Sequence, residues 1–329
     1  MTTPVQQNPD KNSTRLLAKP QTTGVACGKV ILVGEHSAVD GFPAIALPLK
    51  SQTLRIRFGE PIIAQSSETL ALSSTADNSA WHQCWSLTID EKNVEIAEQE
   101  RARLTQSLAL ACELLTIDRQ PSNLEDSFSD FVPQRIFIES KLPLGAGMGG
   151  SAALSAALIR ALSEALQLNL GVDDVSRLAN ELDGVFHGRA SGLDAATVVS
   201  DSIIRFQKGK GSEPILNRAG FWLLLIDTGE RTATREMVRR VAELRGREPH
   251  LVAAHFGELA KLTSACEAAL AKGDLAELGS ILNQAHTQLQ AIGVSTQGLD
   301  ACVECSAKHV ITNEIPPKVD VYLTMSRLA

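Results

Sequence analysis

The sequence lacks any excess of positive charge: 31 lysines and arginines face 38 aspartates and glutamates, a formal net charge of −7 over 329 residues. Without a general basic surface, nucleic acid is excluded as the main partner. A long apolar run is missing too. The longest, Phe221 to Ile226 (FWLLLI), suits a buried strand and falls far short of the about 20 residues a membrane-spanning helix needs, so no membrane partner is expected. The 6 cysteines, at positions 27, 84, 112, 266, 302 and 305, form no framework, which predicts reduced thiols and a cytoplasmic setting. Cys302-x-x-Cys305 has no second pair and no βαβ setting, and reads as structural. There is no internal repeat. Residues 1–23 are polar, carry 3 prolines and have no apolar h-region, so they read as a disordered extension rather than a signal peptide.

What is present is globular material, 44% hydrophobic and 21% charged, in a length that favours two domains. The chain is organised around the stretch 141–154, KLPLGAGMGGSAAL. Glycines at 145, 147, 149 and 150 free the backbone for positive φ, so that several N–H groups can converge on one small anion. Gly145, Ala146, Gly147, Met148, Gly149, Gly150 and Ser151 are therefore the candidate phosphate cradle. The Ala/Leu-rich run from Ser151 to Leu168 predicts a helix, whose N-terminal amides and dipole favour the same charge. Gly145-x-Gly147-x-x-Gly150 also fits the spacing of a dinucleotide-binding loop. The candidate strand Arg135 to Glu139 stops five residues short of Gly145, however, and Asp173 and Asp174 cap a second helix rather than end a strand.

Upstream, Val30 to Val33 is a β-branched apolar run bounded by glycines, a buried strand with Lys29 at one end and Glu35-His36 at the other. A lysine, a carboxylate and an imidazole around a buried strand suit either a solvated strand end or a site for anionic ligands. Gln52 to Phe58 alternates as a strand, 95–115 forms a helix, and 118–129 a polar loop. After the central helix, Asp183 and Asp194 flank a glycine-containing loop. Two carboxylates beside a phosphate cradle suit phosphoryl transfer, which needs a metal carboxylate and another near the acceptor hydroxyl. Strands at 202–206 and 222–227 precede helices at 234–245, 250–271 and 275–291, and Ser295 caps a further helical segment. Mixed elements first and mostly helices afterwards make the chain α+β, with an N-terminal domain over 24–210 and a C-terminal domain over 211–329.

The segments GKVILVGEHSAVDG, PLGAGMGGSAAL and HGRASGLDAATV, in this order, resemble the signatures of the GHMP kinase superfamily, and within it the branch that phosphorylates mevalonate. The resemblance spans about residues 24–299. It implies a two-domain fold, an N-terminal mixed α/β domain and a mostly helical α+β C-terminal one, with ATP and Mg²⁺ as cofactors in the cleft between them. Mevalonate is the implied substrate, other small-molecule kinases and a noncatalytic nucleotide-binding descendant remain open, and a homodimer is compatible with the pattern. Asp194 falls on the catalytic aspartate that draws the substrate's proton, and Lys29 on the lysine that steadies its charge. Ser151 falls on a magnesium ligand and Asp183 where a magnesium-binding glutamate is usual. His36, Glu35 and Thr234 fall on the substrate side. Cys27 and Thr232 depart from the family's proline and arginine. The tail departs most: no glycine follows Gly298, where the family carries a third glycine-rich motif and a closing strand. From about residue 306 the tail is atypical, which predicts weakened activity or stability, and only VDVYLTM at 319–325 has the composition of a strand.

Overall fold

The computed structural model describes residues 22–59, 85–117, 135–143, 145–187, 191–221, 223–228, 234–308 and 322–325. Its first half is a seven-stranded sheet. β1 (Thr23–Val33) and β2 (Ala44–Phe58) are its two long strands and pair antiparallel. The other edge of β2 is shared by two partners: β5 (Ile136–Ser140) along 54–58 and β6 (Ile204–Gln207) along 44–46. Between these ladders β2 has β1 on one side only, and Pro48, which has no N–H to give, falls in that gap. β3 (Trp85–Ile89) runs parallel to β5, with β4 (Lys92–Val94) outside it and α1 (Glu98–Ile117) as the crossover, while β7 (Gly211–Pro214) closes the opposite edge on β6.

One helix fills the middle of this half. In α2 (Gly150–Ala165), every residue from Ala152 to Ser163 except Arg160 is buried. Leucine and isoleucine side chains at 154, 158, 159 and 162 stabilise by about 2 kcal/mol apiece when removed from water, and alanines between them let the neighbours come close. The approach is closest at Gly24 of β1, where a Cβ would lie 1.8 Å from the Ala157 carbonyl oxygen. α3 (Val172–His187) and α4 (Leu193–Val199) pack on α2 and complete the layer. β8 (Leu224–Asp227) then leads into α5 (Thr234–Arg247), α6 (Pro249–Lys272), α7 (Leu275–Ala291) and α8 (Gln297–Lys308). Pro249 stands in the first turn of α6, where its missing N–H costs nothing, and Asp274 caps α7 by accepting from the Glu277 N–H at 3.0 Å. α6 packs against α7, β1, β2 and the short 3₁₀ turn Ser37–Asp40.

Most expected elements are present, with shifted ends. The strand expected at Val30–Val33 begins at Thr23, and the one expected from Gln52 begins at Ala44. Asp173 and Asp174 sit inside the first turn of α3 rather than at its cap, where Asp174 accepts from the Gly171 N–H at 3.3 Å. Ser295 does not cap α8: Thr296 does, accepting from the Leu299 N–H at 3.3 Å, while Ser295 Oγ donates to Asp300 at 2.6 Å. The strand in the tail exists as β9 (Tyr322–Met325), parallel to β8 and its sole ladder partner among the described residues. The extension over 1–21, the loop at 118–129, Trp222, Thr232, and 309–321 and 326–329 of the tail lie outside the described residues. The described part of the extension, Thr22 and Thr23, is ordered, and Thr23 opens β1.

Candidate active site

The glycine-rich loop joins β5 to α2. Gly145, Gly147 and Gly149 all have positive φ, 58°, 72° and 72°, which β-carbons would strain. Residues 146–149 are buried, Ala146 and Met148 by their side chains, while Gly145 and Gly150 are exposed, so the loop is pinned in its middle and open at its two outer glycines. Gly149 caps α2 without any side-chain bond, and the first turn of α2 carries no acidic residue. Its N–H groups are thus not answered by a carboxylate of that turn, the arrangement that suits a phosphate. Ser151, half-buried, is the second residue of the helix.

Lys29 lies directly under this loop. Its backbone N–H donates to the Met148 carbonyl at 2.9 Å, and a Cβ on residue 149 would come within 2.7 Å of Lys29 Cγ. Glycine at 149 is therefore required twice, for its φ and for the lysine stem. Lys29 is 2% exposed, and its ammonium sits 3.2 Å from Asp194 Oδ1. Burial on its own would drive the Lys29 pKa down. Asp194, Glu35 and Asp183 outweigh it and hold the group above its ordinary value. Asp194 projects from the first turn of α4, which starts after Gly192 at φ 93°, and its side chain keeps 32% exposure. The residue set is thus one enclosed cation among three carboxylates, of which Asp183 is buried and Asp194 and Glu35 are partly exposed.

Glu35 follows β1 and is half-buried. Burial pushes its carboxyl up to about 7; Lys29 opposes that rise and Asp194 adds to it. Next to it, His36 is 9% exposed, and burial lowers its pKa to about 4, so the imidazole is neutral at physiological pH. Its Nε2 has no hydrogen-bond partner among the described residues. A buried imidazole nitrogen with nothing to bond costs about 1–3 kcal/mol unless a ligand meets it. The backbone there is strained as well: His36 has φ 62° and ψ −40°, and the Ser37 N–H reaches back to the Glu35 carbonyl at 2.7 Å, a γ-turn of the rare hand. Conformations of this kind cost about 1–3 kcal/mol and concentrate at functional sites.

Among the residues predicted from sequence, Lys29, Asp194, Glu35 and Asp183 come together, His36 stands beside them in the chain, and the loop 145–151 adjoins them through Lys29. Asp183 lies on α3 at 3% exposure. Thr234 begins α5. No trio of His, Cys, Asp or Glu among the described residues is arranged to hold a metal unaided. A hydroxyl at Ser151 and a carboxylate at Asp183 are hard oxygen donors of the kind Mg²⁺ takes when phosphates and water supply the remaining positions, so the residues fit that ion. The dinucleotide alternative is answered by topology: β5 lies antiparallel to β2, and α2 runs on into α3 rather than into a parallel strand.

Comparison with known proteins bears on the same residues. Residues 117–201, which include the glycine loop, Asp183 and Asp194, match the family model for the GHMP kinases N terminal domain. The mevalonate kinase of Pyrococcus horikoshii is 30% identical over 289 residues, covering 84% of this chain and 79% of that protein. The chain belongs to the GHMP kinase superfamily. A mevalonate kinase from Thermococcus gammatolerans is 29% identical over 286 residues, covering 84% of this chain and 80% of its own length. The crystal structure of L. major mevalonate kinase in complex with R-mevalonate superposes with a TM-score of 0.62 at 25% identity, covering 89% of this GHMP kinase and 82% of that chain. Membership makes the chain a phosphotransferase by family, with ATP as the family's phosphate donor. The α+β two-domain fold is that of the superfamily.

Arg245 and Thr263, which hold the turn after His36, gave no signal in the sequence. Each acts on a residue more than 200 positions away.

Proposed function

We propose that this GHMP kinase transfers the γ-phosphoryl group of ATP to the primary hydroxyl of mevalonate, giving 5-phosphomevalonate and ADP. The observation that carries the reading is the buried Lys29 paired with Asp194 at 3.2 Å beneath the glycine loop at the α2 N-terminus. Asp194, the carboxylate left partly open, accepts the hydroxyl proton as the oxygen attacks phosphorus. The enclosed Lys29 pairs with that carboxylate and adds positive charge beside the transferring group. The amides of 145–151 hold the phosphates, and little covalent chemistry is asked of the protein beyond that placement. Ser151 and Asp183 would hold Mg²⁺, which when bound screens the phosphate charge. Neutral His36, with its unanswered Nε2, Glu35 and Thr234 line the mevalonate side. The site lies in the cleft between a domain over 24–210 and one over 211–329. Free thiols at 27, 112, 266, 302 and 305 support a reducing, cytoplasmic setting.

The mevalonate kinases of similar sequence support this acceptor over galactose, since the galactokinase fold match is only 14% identical. The test is ADP release by the full chain with and without mevalonate, with mass-spectrometric identification of the product. Mevalonate-dependent ADP release with one phosphate gained on mevalonate is expected. Release that ignores mevalonate, or no release at all, overturns the assignment.

A further inference from the structure

The turn over 34–43 carries the two residues proposed to face the substrate, in a backbone shape it would not keep unaided. His36 sits at φ 62°, closing a strained turn of 2.7 Å between Ser37 N–H and the Glu35 carbonyl. Such a turn persists only where its surroundings over-determine it. Part of the hold is local: Ser37 Oγ and the Ala38 N–H both donate to the Gly34 carbonyl at 3.1 Å. The remainder arrives from the C-terminal helices. Thr263 on α6 is fully buried, and its Oγ1 lies 3.2 Å from the Pro43 carbonyl oxygen and 2.8 Å from that of Leu259, so one proton is shared between the turn and the helix. Phe256, two turns earlier on α6, meets Phe42 edge to face at 5.7 Å. Arg245, at the far end of the helix that Thr234 begins, reaches Asp40 at 2.6 Å.

Resting on the proposed function, we infer that Thr263 is a positioning residue for the substrate: with Arg245 and Phe256 it fixes the turn that presents Glu35 and His36. Substrate affinity then depends on α5 and α6 through the backbone of 37–43. Phosphate binding, built on the glycine loop and α2, does not.

Thr263→Val keeps the size and removes the proton; Thr263→Ser keeps the proton. Thr263→Val is expected to raise the KM for mevalonate about five- to tenfold, the loss of roughly one hydrogen bond, with kcat within about threefold and the KM for ATP unchanged. Thr263→Ser restores the mevalonate KM. Arg245→Gln, at an exposed position where folding is not at stake, moves the same constant in the same direction by about twofold. A readout independent of turnover is the NMR titration of His36, whose imidazole, held near 4 by burial, should titrate closer to the ordinary value of 6.5 in Thr263→Val as the turn loosens. If the wild type shows no mevalonate turnover, the substrate assignment falls and the titration alone decides the positioning role. A folded Thr263→Val with unchanged mevalonate KM and an unchanged His36 titration, or equal rises in the KM for ATP and mevalonate, overturns the inference.

Discussion

Two cations tie β1 to α4, one at each end of that short helix, and they meet different partners. At its start Lys29 faces Asp194 across 3.2 Å. Near its end Arg160, on α2, donates to the Val25 carbonyl at 2.6 Å and the Val199 carbonyl at 3.4 Å. Arg160 therefore spends its hydrogen bonds on backbone oxygens, and the carboxylate that acts on it, Asp201, is fully exposed. Lys29 is surrounded by more negative charge than it neutralises: Asp194, Glu35 and Asp183 all act on it. A half-buried cation bonded to backbone oxygens is a fastener. One among several carboxylates, beside a helix N-terminus whose first turn carries no acidic residue, is equipped to work with charge the protein does not supply, from a phosphate and its metal. That difference, together with the deeper burial of Lys29, separates site from scaffold although both residues lie in the same layer.

The comparison breaks most readily at the Lys29 end. Asp194→Asn should lower kcat by about 10³-fold or more while ATP affinity, measured by equilibrium binding, stays within about threefold. A kcat near wild type would mean that the pair is merely structural. Lys29→Met leaves three carboxylates facing one another, and should cost about 3 kcal/mol in chemical denaturation as well as nearly all turnover. Arg160→Met is the contrasting experiment. It should cost about 2 kcal/mol of stability, the hydrogen bonds of a charged donor, with kcat per folded molecule within about twofold. A selective loss of kcat with stability intact would erase the distinction between the two cations.

Smaller effects sharpen the picture. A carboxylate at 183 is one methylene shorter than a glutamate there would be, so the proposed metal is expected to depend more on Ser151. In a Mg²⁺ titration of activity, Ser151→Ala should raise the requirement more than Asp183→Ala, and the reverse order would reassign the direct ligand. Glu35 gives the finest test. Its folded pKa of about 7 stands above the ordinary 4.5, so the native state holds the proton more tightly and stability from this group is lost as pH rises from about 4.5 through 7. Glu35→Gln should remove that decline. Wild-type and variant melting temperatures compared from pH 5 to 8 should draw apart, the variant gaining, and parallel curves would contradict the raised pKa.

Much of this was legible from residue order. The glycine loop and α2 are written locally, in glycines that allow positive φ and an alanine-leucine run that only a buried helix uses, and α6 and α7 follow their apolar period. The ends of β1 and β2 were not legible, because Gly24, Gly28 and Pro48 break the strand pattern. Their tolerance depends on what lies opposite: α2 at Gly24, and a bare edge between β5 and β6 at Pro48. Ser295 and Thr296 are equally good caps on paper, and the choice fell to Thr296 because Asp300 takes the Ser295 hydroxyl. The Lys29–Asp194 pairing came from the family's pattern and from no periodicity. The turn at His36 has no sequence signature, since histidine seldom adopts positive φ and does so here under contacts from α5 and α6.

The contact between Gly24 and Ala157 has a consequence for how mutations in this protein will be read. Even a methyl group at 24 would have to displace the backbone of α2, the helix that follows the glycine loop, whereas β1 breaks register with β2 between Cys27 and Gly28 before it reaches Lys29. The displacement would therefore pass along α2, whose N-terminus carries the glycine loop two turns before Ala157, rather than along β1. A genetic screen would score Gly24→Ala among the lesions of the phosphate site, although its chemistry is that of a doorstop placed two turns down the helix.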